Sequence, residues 1–142
     1  MSKTSRKTPI FLVSACLVGM KTRYDGGDSL REEIISLFDK GIVIPLCPEI
    51  LGGLGIPRPK ATIKDGRIIN KEKKDVTYNF KKGAEEVLTF VKRINPDRIY
   101  LKEYSPSCGV KKTNINWERE KGKGITTKLL IENGYHNISG IE

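Results

Sequence analysis

Apolar and polar positions along the chain switch repeatedly between a strand period and a helix period. Residues 10–15 (IFLVSA) are continuously apolar or small and rich in strand formers, which predicts a strand buried on both faces. After a turn-rich loop over 21–28 (KTRYDGGD), Ser29 stands three residues before Glu32 as a capping box. Leu30, Ile34, Ile35, Leu37 and Phe38 then recur at helical spacing until Gly41. Residues 42–46 (IVIPL) read as a second buried strand, whose proline suits a strand end or an irregular position. Strand, helix and strand in that order predict a parallel unit.

Residues 51–59 (LGGLGIPRP) exclude regular structure, and 61–70 carry Asp65-Gly66 between two alternating runs, the pattern of a hairpin. A helix over 78–94 presents Phe80, Ala84, Val87, Leu88 and Val91 on one face, with Asp75 or Thr77 available as its cap and Pro96 beyond its end. A third strand over 98–101 (RIYL), a helix over 125–132 closed by Asn133-Gly134, and a fourth strand over 135–138 complete the reading. The alternation predicts an α/β fold: a single open, mostly parallel sheet with helices on both faces, a Rossmann-like three-layer arrangement, plus a small hairpin excursion. Residues 1–8 read as a basic disordered tail and 9–142 as one domain.

The chain of 142 residues has 26 basic and 17 acidic side chains, a net charge of +9. Such a charge attracts anionic partners, nucleic acid included, although lysines scattered without an arginine stripe also fit a merely solvated surface. No apolar run approaches the roughly 18 residues of a membrane span, and no cleavable leader pattern is visible, so a cytoplasmic protein is expected. Monomer and homodimer both remain open.

Composition changes the picture at one residue type. There are three cysteines, an odd count in a chain without an export signal, which argues against a disulfide framework and for a metal or a reactive thiol. Cys16 closes the first strand, Cys47 the second, and Cys108 lies in the loop leaving the third. In a parallel sheet those ends share one edge, the edge where open α/β folds bind ligands, so thiols 31 and 61 positions apart can meet there. Structural zinc wants four close ligands, and no Cys-x-x-Cys pair exists here. His136 is the only histidine that could complete a set, and it falls toward the opposite edge. Three thiolates suit a 4Fe-4S cluster with one open iron, acting as a Lewis acid.

The segments 13–19 (VSACLVG), 23–26 (RYDG), 47–49 (CPE), 53–59 (GLGIPRP), 75–77 (DVT) and 105–109 (SPSCG) together resemble the thiouracil desulfidase family, in the same order, over about 10–138. The resemblance implies a 4Fe-4S cluster on Cys16, Cys47 and Cys108, and removal of sulfur from a thiolated pyrimidine as hydrosulfide. It also implies catalytic roles for Glu49 and Ser105, with Ser107 as the alternative serine. Tyr24 and Asp25, in the loop after Cys16, are candidate pocket residues. Two stretches depart from the family pattern, Lys60 after PRP and Asn114-Ile115-Asn116-Trp117 after the third cysteine. Both border the substrate pocket rather than the cluster, and Trp117 offers a surface for base stacking. The net charge adds thiolated tRNA or nucleotides as a substrate alternative. A non-catalytic zinc or redox-sensing module that binds nucleic acid is the rival of another class.

Overall fold

A computed structural model describes residues 8–142, so the tail expected over 1–8 lies, but for Thr8, outside the described residues. Four strands, β1 (Ile10–Ser14), β2 (Ile42–Leu46), β5 (Arg98–Lys102) and β8 (Ile138–Ile141), form a sheet in the order β2-β1-β5-β8 with every pairing parallel. Side-chain alternation along β1 divides the core between the two faces. Leu12 packs with Val87 and Val91 of α3 (Thr77–Ile94) and Leu130 of α4 (Ile125–Glu132), while Phe11 and Val13 face Ile34 and Leu37 on the other side. The expected three-layer α/β arrangement is present.

Pro45 sits inside β2, opposite Val13. It is tolerated because β2 is the sheet's edge, where a missing N–H costs no interior ladder bond. The strand expected over 135–138 forms three residues later. The helix expected from Ser29 is also shorter: α1 (Glu32–Ile35) is one turn, continued as a 3-10 turn over Ser36–Asp39, and enters from Arg31 without a side-chain cap. Ser29 is instead buried, accepting a bond from Arg23 Nη1 at 2.8 Å while its own N–H bonds the Cys16 carbonyl at 2.9 Å. Its hydroxyl ties down the cysteine loop and is not free to cap a helix.

The hairpin of β3 (Ala61–Lys64) and β4 (Arg67–Asn70) turns at Asp65-Gly66, both at positive φ as the tight turn requires. It is not alone. A second hairpin, β6 (Lys112–Ile115) and β7 (Glu118–Lys121), joins it through the parallel pair Ile63 and Ile115, making a four-stranded sheet in the order β4-β3-β6-β7. The excursion is therefore a full second sheet.

The helix α3 also fixes the turn that follows β2. Residues Pro48–Leu51 form a one-turn helix, α2, pressed against α3 where two glycines meet: a Cβ on Gly83 would stand 1.9 Å from the Pro48 carbonyl oxygen, and one on Gly52 2.0 Å from the Asn79 oxygen. Asn79 Nδ2 donates to the Gly52 carbonyl at 2.9 Å across the same contact. Gly83→Ala gains helix propensity of up to about 1 kcal/mol, but forces backbone against backbone, an overpacking worth about 1–3 kcal/mol or more. The variant is expected to unfold at lower temperature and lower urea than wild type; equal stability would show that the two helices separate at little cost.

Candidate active site

The parallel sheet delivers its three cysteine-bearing segments to one cavity of about 150 Å³, roofed by the second sheet. Cys16 lies in the 3-10 turn Ala15–Val18 after β1, Cys47 directly follows β2, and Cys108 lies six residues beyond β5. All three line the cavity, and all three are free thiols, with Cys16 and Cys108 buried. Burial pushes the Cys108 thiol far up, with the charges of Cys47, Glu49 and Cys16 adding to it. Burial is also the main cause of the rise at Cys16, followed by Cys47. At Cys47 the N–H groups of Ile50 and Glu49 at the start of α2 favour thiolate, as expected of a helix start, but burial outweighs them. Burial thus disfavours the thiolate form at all three positions.

Among the described residues, no three His, Cys, Asp or Glu side chains converge tightly enough to grip a single metal ion. A zinc ion draws its donors to roughly 2.0–2.3 Å from one point. His136 is exposed in the loop before β8 and does not line the cavity.

Beside the thiols stands a hydrogen-bonded acid and alcohol from distant segments. Glu49, in α2, accepts the Ser105 hydroxyl on Oε2 at 3.3 Å and the Arg58 guanidinium Nε on Oε1 at 3.0 Å. Ser105 Oγ in turn accepts the backbone N–H groups of Ser107 and Cys108, each at 3.0 Å. Two incoming donors leave its own proton directed at Glu49. Ser107 is fully buried, its hydroxyl paired with Thr126 at 2.8 Å, and is not part of the cavity wall. Tyr24 lines the cavity; Asp25 does not, its carboxylate being exposed and bonded to Arg23 and the Gly27 N–H. Trp117 also lies off the wall, with Lys71 Nζ 4.0 Å above its ring.

Several wall residues were not anticipated. Arg58, from the PRP segment, has a buried guanidinium that also donates to the carbonyls of Thr22 at 2.9 Å and Gly55 at 3.1 Å, while its N–H bonds the Tyr24 carbonyl. It staples the loop after Cys16 to the acid after Cys47. The proline-flanked arginine in 53–59 was the available signal. Glu103 is buried, its carboxylate accepting N–H groups of Val110 at 2.7 Å, Lys111 at 3.1 Å and Lys112 at 3.2 Å, which fixes the loop holding Ser105 and Cys108. Lys60 and Asn114, expected to border the pocket, line the wall as well, and Arg23, Lys102 and Arg119 add further cationic side chains to it.

The chain resembles known proteins over most of its length. The chain is 36% identical over 143 residues to the uncharacterized protein YbbK of Bacillus subtilis (strain 168), covering 92% of this chain and 95% of the relative. It superposes on the solved structure of the 4Fe-4S-dependent thiouracil desulfidase TudS with a TM-score of 0.84 at 33% identity, covering 93% of this chain and 90% of that one. The model of the family described as 2-thiouracil desulfurase matches residues 11–140. Because that match runs from within the first strand to within the last and includes the three cysteines, Glu49 and Ser105, the chain belongs to the 2-thiouracil desulfurase family.

Proposed function

We propose that the protein is an iron-sulfur-dependent desulfidase that exchanges the sulfur of a thiouracil-type base for oxygen from water. The observation that carries this reading is the meeting of Cys16, Cys47 and Cys108 in one cavity with the Glu49–Ser105 hydrogen bond beside them. The three cysteines would hold a 4Fe-4S cluster with one iron left open. When bound, that cluster supplies a Lewis acid for the substrate sulfur. The donor set fits: three thiols on one wall, with no fourth cysteine in the chain.

The remaining chemistry falls to the protein's own groups. Glu49 takes a proton from water, the water oxygen bonds the carbon that carried sulfur, and the carbon–sulfur bond breaks. Hydrosulfide leaves with the electron pair, so thiouracil and water become uracil and hydrogen sulfide without a redox change. Arg58 and Ser105, one on each carboxylate oxygen, hold Glu49 in a single orientation. Ser105 relays the proton between Glu49 and the substrate's ring nitrogen by turning its hydroxyl from Glu49 to the base and exchanging one of the two backbone donors at its oxygen for the incoming proton. The sealed pairing of Ser107 with Thr126 favours Ser105 over it for this role. Three unpaired thiols suit a reducing compartment, the cytoplasm.

The cationic side chains of the cavity wall favour a second reading, in which the base arrives on a nucleotide or a tRNA. Hydrosulfide release from 2-thiouracil, 4-thiouracil, thiouridine and thiolated tRNA by anaerobically reconstituted protein tests both. Turnover of the free bases is expected. Turnover of tRNA alone would select the second reading, and turnover of none would refute the activity.

A further inference from the structure

One polar side chain of the cavity wall is used neither by the cysteines nor by the Glu49–Ser105 pair. Asn114, in β6, is 3% exposed and lines the cavity. Its Oδ1 accepts the Thr62 hydroxyl at 2.5 Å, and Thr62 Oγ1 itself accepts the Trp117 backbone N–H at 2.9 Å. A hydroxyl carries one proton. In the structure that proton goes to Asn114, with the amide oxygen toward β3 and the nitrogen away from it. Among the described residues no hydrogen bond engages this amide nitrogen, and no enclosed side-chain nitrogen or oxygen lacks a partner. The nitrogen is therefore open to the cavity, with two donors unspent. Asn114 and Ser105 line the same cavity.

A buried amide that turns N–H groups toward a ligand reads acceptor atoms. An anionic group in the cavity has stronger partners in Arg23, Arg58, Lys60, Lys102 and Arg119. What suits Asn114 is a neutral acceptor, such as a ring carbonyl. We propose that Asn114 is a specificity-determining residue that donates to the exocyclic oxygen retained by a thiouracil, and so rejects thiocytosines, which carry an amine at that position. The proposal rests on the desulfidase reading. Its physical basis is that two donors facing each other in a buried site leave both unsatisfied.

The test compares kcat/KM for 2-thiouracil and 2-thiocytosine, and equilibrium binding of uracil and cytosine, in wild type, Asn114→Asp and Asn114→Ala. Wild type should favour the uracil form by at least about 10-fold in both measurements. Asn114→Asp, nearly isosteric but presenting an acceptor, should narrow or invert that ratio, and Asn114→Ala should bring it within about 3-fold of unity. Equal handling of both forms by wild type would overturn the proposal, and so would variants whose rates on both compounds fall in parallel at an unchanged ratio, the mark of a structural role. If a variant fails to fold, the wild-type ratios decide. Hydrosulfide from neither compound would refute the desulfidase reading instead, and the uracil-to-cytosine binding ratio would still decide the role of Asn114.

Discussion

Replacing Cys108 with serine is expected to give a folded, colourless protein that binds little iron and releases no measurable hydrosulfide. The side chain is 6% exposed, and its backbone is fixed from three directions: its N–H bonds Ser105 Oγ, its carbonyl accepts the Thr127 hydroxyl at 3.1 Å, and the loop around it hangs from Glu103. Serine is smaller than cysteine and adds a hydroxyl that has Ser14 as a neighbour, so the fold should lose no more than about 1–2 kcal/mol. What is lost is the soft thiolate on which iron-sulfur clusters depend. Circular dichroism would verify the fold, and metal analysis with a sulfide assay would read the effect. A Cys108→Ser protein that kept its iron and its activity would remove Cys108 from the ligand set.

Glu49→Gln should separate catalysis from cluster binding. The substitution keeps volume and one acceptor oxygen but removes the group proposed to take the proton, so kcat should fall by about 100- to 10,000-fold, the usual contribution of a positioned acid or base. Iron content and visible absorption should match wild type, because the hydrogen-bond partners of the Glu49 carboxylate are Arg58 and Ser105. Ser105→Ala should fall less, since it removes a relay while Glu49 remains held by Arg58. A Glu49→Gln enzyme within about 3-fold of wild type would show that water is activated without this carboxylate. A parallel loss of iron would reassign Glu49 to cluster binding.

The central sheet was legible because its strands are short apolar runs, although only β1 is buried as that pattern predicts: β2, at the sheet's edge, is half-buried, with Ile42 49% exposed. Residues 10–15 and 42–46 are continuously apolar, and no other short element tolerates that pattern between glycine-rich turns. With the strands placed, the gathering of Cys16, Cys47 and Cys108 at one edge followed from topology alone. The second sheet was hidden for the opposite reason. Every residue of β7 (EREK) is exposed, so no apolar alternation marks it, and its turn places Asn116 and Trp117 at positive φ where glycine would have signalled a hairpin. The capping box at Ser29 misled because the sequence shows only spacing. The hydroxyl found Arg23, a partner that local pattern cannot rank. Arg58 escaped for a related reason: it gains its meaning from Glu49, 9 positions away, while Asn114, expected only to border the pocket, is held by Thr62, 52 positions away.

The shared wall of three thiols is the claim on which the chemistry stands, and the iron and acid-labile sulfide content of the anaerobically reconstituted wild-type protein tests it most directly. The expected result is a brown protein carrying iron and sulfide in equal amounts, about four of each per chain. A colourless protein holding zinc alone, or no metal under the same conditions, would contradict it.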